Sequence, residues 1–161
     1  MRNQLLEEFE MKDLGRLKYF LRIEVLRSKK GIFICQRKYI LDLLAEVGMI
    51  DYKTTDTPIA VNHRLILIKR SKVTDKEKYK RLMGKLIYLS HTRPDIAYAV
   101  GVVSQFMHRP QENHFKAVLR VLRYLKGTTD KGIMYEFIDI LRFKLIQTQI
   151  GPEIQTIESL Q

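Results

Sequence analysis

The sequence predicts an α+β fold that is mainly helical, and two observations carry that expectation. Two β-prone runs, Leu17–Leu26 and Ile32–Cys35, flank the short polar loop Arg27-Ser28-Lys29-Lys30-Gly31 and read as one β-hairpin over about residues 17–35. After it, apolar residues recur at helical spacing in four segments, about 37–47, 75–90, 94–107 and 111–126, set apart by Gly and Pro signals. At 161 residues the chain suits one domain with a loose tail.

Taken in order, Asn3–Phe9 places Leu5, Leu6 and Phe9 on one side and reads as the end of a helix that Gly15 stops. The aromatic and β-branched content of Leu17–Leu26 favours a strand, although Leu17–Val25 alone also fits a helical turn. In the first full helix Ile40, Leu43, Leu44 and Val47 form one stripe, and Gly48 ends it in the left-handed position before apolar Met49 and Ile50. Thr54–Pro58 is a loop, because the residue before a proline avoids helical angles. Residues 61–74 show no steady period and form an irregular connector, in spite of the apolar run Leu65-Ile66-Leu67-Ile68.

Thr74-Asp75-Lys76-Glu77 has the form of a capping box. The helix it opens buries Tyr79, Leu82, Met83 and Leu86, and carries Lys78, Arg81 and Lys85 on another face. Gly84 inside that helix costs about 1 kcal/mol relative to Ala. Close approach of another helix or of a nucleic-acid strand would justify it. Thr92-Arg93-Pro94-Asp95 starts the next helix, with Pro in the first turn. Its stripe of Ile96, Ala99, Val100, Val103 and Met107 is widened by Tyr98, Val102 and Phe106, so it is expected to be the central buried helix. Pro110 opens the last helix, whose core face is Phe115, Val118, Leu119, Leu122 and Leu125, beside a basic stripe of Lys116, Arg120 and Arg123. Gly127 ends it, and a short strand is expected over 133–137. From Ile138 onward the chain reads as a divergent, frayed tail broken by Gly151-Pro152.

Composition narrows the function classes. Lys and Arg number 29 against 18 Asp and Glu, a formal charge of +11, which favours a polyanionic partner, most simply nucleic acid. The single cysteine, Cys35, excludes an internal disulfide framework and fits a reducing compartment. No apolar run is long enough to span a membrane, and MRNQLLEEFE resembles neither a signal peptide nor a transit peptide, so the expected setting is intracellular, cytoplasmic or nuclear. The four histidines lack zinc-ligand spacing, phosphate-cradling glycine loops are absent, and Ser90-His91 and Ser104…His108 have no orienting third group for a hydrolase.

Four stretches carry a resemblance: KDLGRLKYFLRIEV…GIFICQRKYILDLL, TPI at 57–59, YKRLMGKLIYLSHTRPDIAYAVGVVSQFM at 79–107 and HFKAVLRVLRYLKGT at 114–128. In this order they resemble the reverse transcriptase of copia-type retrotransposon polyproteins just past its catalytic core, over about Leu5–Tyr135. The resemblance implies that residues 1–36 are the edge of the palm with a primer-grip-like hairpin, 37–137 a thumb and connection region, and 138–161 divergent sequence. Leu21, Arg22, Ile23 and Glu24 would be the primer-grip residues. Lys78, Arg81, Lys85, Lys116, Arg120 and Arg123 would lie along a primer–template duplex, contacting phosphates without reading sequence. The family commonly has Gly at the position of Arg22, which puts primer-grip function in question.

Nucleotide polymerisation needs metal ions held by converging carboxylates. The family's Tyr-x-Asp-Asp turn is absent here and would lie upstream of Met1; no Asp-Asp pair occurs anywhere. The intact family enzyme would use Mg²⁺; this stretch is expected to hold no cofactor and to be inactive alone. Its partners would be the primer–template duplex and the rest of the palm, the fingers and RNase H. Two other readings stand beside this one: a free-standing basic helical DNA-binding module with Thr92–Pro94 as its turn, and an inert remnant of a decayed element.

Overall fold

In a computed structural model the described residues are 19–28, 31–63, 65–68, 72, 74–139 and 142–149. The helix end expected over Asn3–Phe9, the first two residues of the expected hairpin and the Gly151-Pro152 break lie outside them. The hairpin is the start of an antiparallel sheet. Strands β1 (Tyr19–Phe20), β2 (Ile23–Arg27), β3 (Gly31–Cys35), β4 (Lys131–Asp139) and β5 (Arg142–Gln149) lie side by side in that order. Among the described residues four helices complete the α+β fold: α1 (Arg37–Glu46), α2 (Lys76–Ser90), α3 (Pro94–Ser104) and α4 (Glu112–Lys126).

The expected single strand Leu17–Leu26 is in fact broken. Leu21 and Arg22 have φ of 49° and 63°, and Phe20 pairs with Ile23 across them. Positive φ at both central residues marks the two-residue turn whose twist matches that of paired strands, so the segment is itself a tight hairpin. The second hairpin is the expected one, with Arg27 opposite Ile32 and Glu24 opposite Cys35. Along β3 the buried positions alternate. Phe33 and Cys35 face a small apolar cluster with Met134 and Leu26, and Gly31 leaves room for the Tyr135 carbonyl where a Cβ would otherwise stand.

Strand β4 extends to Lys131–Asp139, beyond the expected 133–137. Residues 142–149 are not frayed, because they pair with it as β5. A backbone segment that completes a hydrogen-bonded ladder gains partners that its sequence alone does not announce.

The helices bury one continuous core, from Tyr39 and Ile40 through Leu86, Ile96 and Val103 to Leu122 and Leu125. Helix α1 ends as its sequence requires: Gly48 adopts φ 67°, the Met49 amide donates to the Leu44 carbonyl at 2.9 Å and the Gly48 amide to Ala45 at 3.1 Å. The cap of α2 is Asp75 rather than Thr74. Its carboxylate accepts from the Glu77 and Lys78 amides, both at 3.0 Å, while Thr74 donates its amide to Pro110. Helix α3 stops at Ser104, short of the expected 107, and is not the central one. Ala97, Tyr98 and Gly101 face outward, Tyr98 being 68% exposed. Helix α4, which begins at Glu112 after an N-cap Gln111, touches each of the other three described helices. The connector stays irregular, but it is tied down: the Gln111 side chain exchanges hydrogen bonds with the Ile68 amide and carbonyl at 2.9 and 2.8 Å.

Candidate nucleic-acid interface

The tip of the β1–β2 turn rests on the helices. The Tyr88 hydroxyl of α2 donates to the Leu21 carbonyl, and the Arg22 guanidinium sits 5.3 Å above the ring of Tyr39 in α1. Tyr39 and Tyr88 in turn meet edge to face, 5.5 Å between centroids at 87°. Burial pushes the Tyr39 phenol upward, with the Arg22 charge opposing. Leu21 remains 66% exposed and Ile23 is half-buried in the pairing register.

Glu24 has a different role from the salt bridge or solvated face that strand position suggests. Its Oε1 accepts the Lys38 amide at 2.9 Å and so caps helix α1, whose own N-cap, Gln36, makes no side-chain capping bond. Gln36 is fully buried and instead accepts from the Thr92 hydroxyl at 2.6 Å, which joins the hairpin's end to the turn between α2 and α3.

The two basic stripes differ in what they do. On α2, Lys85 pairs with Glu46 of α1, Arg81 Nε lies 3.7 Å from the other oxygen of the same carboxylate, and Lys78 stands 5.6 Å above the ring of Phe115. The Lys85 hydrogen bond, with the charges of Lys85, Arg81 and Arg22, holds Glu46 below the usual carboxylate range. On α4 the stripe is spent internally. Lys116 pairs with Glu112 one turn back at 2.9 Å; Arg120 donates to the Thr57 hydroxyl at 2.9 Å and Arg123 to the Lys53 carbonyl at 2.6 Å. Lys126 adds a bond to the Tyr52 carbonyl at 2.6 Å, so this face clamps the loop after α1. A hollow of about 180 Å³ lies between the stripes, with Met49, Tyr52, Lys78, Leu82, Phe115 and Leu119 among its walls.

Sequence reasoning missed one centre. Arg93 is fully buried and holds Asp95 with both Nε and Nη2, at 2.9 and 2.7 Å; it also donates to the Thr128 carbonyl and hydroxyl, both at 2.7 Å. The Tyr124 hydroxyl donates to Asp95 at 2.8 Å, and Lys131 reaches Tyr124 at 3.3 Å. Burial alone would raise the Asp95 carboxyl, but the Arg93 bonds and charge, Tyr124 and Lys131 outweigh it and hold the acid low. The network bolts the start of α3 to the end of α4 and the entry to β4. An Arg and an Asp flanking the helix-start proline was the available signal.

Among the described residues no three His, Cys, Asp or Glu side chains gather as metal ligands. No helix among them is long and apolar enough to cross a membrane.

Residues 1–61 match the family model "Reverse transcriptase (RNA-dependent DNA polymerase)". The chain is 48% identical over 131 residues to the retrovirus-related Pol polyprotein from transposon RE1 of Arabidopsis thaliana, covering 81% of this chain and 9% of that one. It is 37% identical over 139 residues to the Pol polyprotein from transposon TNT 1-94 of Nicotiana tabacum, covering 80% and 10%. It is also 41% identical over 130 residues to an uncharacterized mitochondrial protein of Arabidopsis thaliana, covering 81% and 54%. No solved structure matches it. The class is therefore that of reverse-transcriptase sequence. More narrowly, the chain belongs to the copia-type retrotransposon reverse transcriptases, and it spans about a tenth of the length of the Pol polyproteins it matches.

Proposed function

We propose that this chain is the primer-grip edge and thumb of a retrotransposon RNA-directed DNA polymerase, and that it holds a primer–template duplex by its phosphates while performing no chemistry itself. One observation carries the reading. Gly84 lies mid-helix on the outward face of α2, where a Cβ would meet no described atom within 4 Å. No neighbouring helix among the described residues explains it, so the close approach that would repay a helical glycine comes from outside them. Lys80, Arg81, Ile87 and Tyr88 surround it at helical spacing, and a face with two cations beside a bare backbone fits a nucleic-acid strand.

The Mg²⁺ ions of the intact enzyme would be held by other parts of the polyprotein, with the remaining palm, the fingers and RNase H as partners. A helix-turn-helix reading is disfavoured. Helix α3, its recognition helix, carries no Lys or Arg, and Thr92 and Arg93 in the turn are buried.

Fluorescence anisotropy with a labelled RNA·DNA duplex tests this. The expected binding is indifferent to base sequence, with log K falling by about 0.9 per contacted phosphate for each unit of log salt. Marked base preference, or no binding at low salt, overturns it. Primer extension with Mg²⁺ should give no incorporation.

A further inference from the structure

Glu46 pairs with two cations of α2 and feels the charge of a third, Arg22, from the β1–β2 turn. Lys85 and Arg81 of α2 share its two oxygens, and Arg22 of the β1–β2 turn lies over Tyr39, a ring on the same helix as Glu46. The turn is not free to drift: the Tyr88 hydroxyl holds the Leu21 carbonyl, and Tyr88 packs edge-on against the ring under Arg22. Among the described residues, Glu46 is the sole acid paired with any of the three. One carboxylate against three cations leaves positive charge uncompensated.

We propose that Glu46 is an internal stand-in for a nucleic-acid phosphate, and that Arg22, Arg81 and Lys85 form one phosphate site at the junction of hairpin and helix from which duplex binding displaces its carboxylate. This rests on the duplex-holding reading above and adds the place and the competitor.

The chemistry is matched. A phosphodiester offers two acceptor oxygens and one negative charge, as a carboxylate does, and a planar guanidinium can bridge either. Glu46 is 43% exposed at its side chain and Arg81 62%, so their pairing is screened by solvent and readily exchanged. Arg22 is held at φ 63°, a backbone region that side chains other than Gly, Asn and Asp seldom occupy. Strained positions of this kind concentrate where ligands are clamped.

The test is anisotropy on the 161-residue chain with a short labelled RNA·DNA duplex across a salt series. Glu46→Gln should raise affinity about threefold to tenfold and steepen the salt slope by up to about one contact; Arg22→Ala should lower affinity and flatten the slope similarly. In the Arg22→Ala background the gain from Glu46→Gln should shrink. Glu112→Gln removes an equal charge from an exposed pair on α4 and should change affinity less than about twofold. Equal gains from Glu46→Gln and Glu112→Gln would overturn the site and leave duplex holding intact. Absence of salt-dependent binding by the parent chain would take both down. Circular dichroism melts confirm that each variant is folded.

Discussion

Substitutions at Arg22 separate backbone strain from side-chain contact. At φ 63° a residue with a Cβ carries about 1–2 kcal/mol of strain that glycine avoids. Glycine gives back about 0.4–1 kcal/mol through the greater freedom of the unfolded chain. The Arg22–Tyr39 contact contributes about 0.5–1 kcal/mol at an exposed site, and both glycine and alanine lose it. Arg22→Gly should therefore fall near the parent, within about 0.5 kcal/mol, while Arg22→Ala loses the contact and keeps the strain. The difference between the variants is about 0.5–1 kcal/mol in favour of glycine, or about 1–4 °C in Tm for a chain of this size. At an ordinary position the order is reversed. Urea and thermal unfolding followed by circular dichroism read it directly. If alanine proves as stable as glycine or more so, the left-handed turn is refuted, and glycine loses its steric advantage at this position.

Four further outcomes follow from the same geometry. Arg93→Ala should destabilise by about 3–5 kcal/mol in urea unfolding, since it strands the partly buried Asp95 without its cation. Glu24→Ala should cost about 0.5–2 kcal/mol by uncapping α1, and hydrogen exchange at the Lys38 amide should accelerate first. Gly31→Ala should destabilise strongly because its Cβ would collide with the Tyr135 carbonyl; an unchanged melt would contradict the β3–β4 register. Burial lowers the His114 imidazole from its ordinary 6.5, with the Ile66 carbonyl only partly offsetting, so the unfolded chain takes up the proton first. The stability from neutral His114 is thus complete above about pH 6.5 and is lost as pH falls through the lower folded value; His114→Gln should flatten that part of the profile in pH-dependent denaturation.

The helices were legible because one physical rule wrote them. The stripe Ile40, Leu43, Leu44, Val47 and the stop at Gly48 leave little else for that segment to do. What was hidden depended on partners distant in sequence. The Leu21-Arg22 turn carries none of the Asn or Gly that normally announces such geometry, so two short strands read as one. Helix α3 is apolar enough to suggest a central position, yet Tyr98 points away from the core, because burial depends on which neighbours arrive and not on composition. Strand β5 reads as a frayed tail, although Arg142 and Lys144 alternate with Phe143 and Leu145; only the ladder with β4 distinguishes a strand from a loop there.

The candidate interface shows the same division, and it changes how the charge of the chain should be understood. Helical spacing puts Lys116, Arg120 and Arg123 on one face as surely as Lys78, Arg81 and Lys85. It says nothing about the loop that folds over the former. Arg120, Arg123 and Lys126 donate to Thr57, Lys53 and Tyr52, so losing them loosens the segment after α1 before it weakens any ligand. Among the described residues, Arg81 and Lys85 share a single carboxylate, and Lys78 stands over a ring. A net charge of +11 is therefore not one uniform field. Among the described residues, part of it is committed to carbonyls within the fold, whereas Arg81 and Lys85 of α2 meet a carboxylate and Arg22 of the β1–β2 turn meets a ring. Alanine substitution should separate the two: the α4 cations should shift the melt more than the salt slope, the α2 cations the salt slope more than the melt.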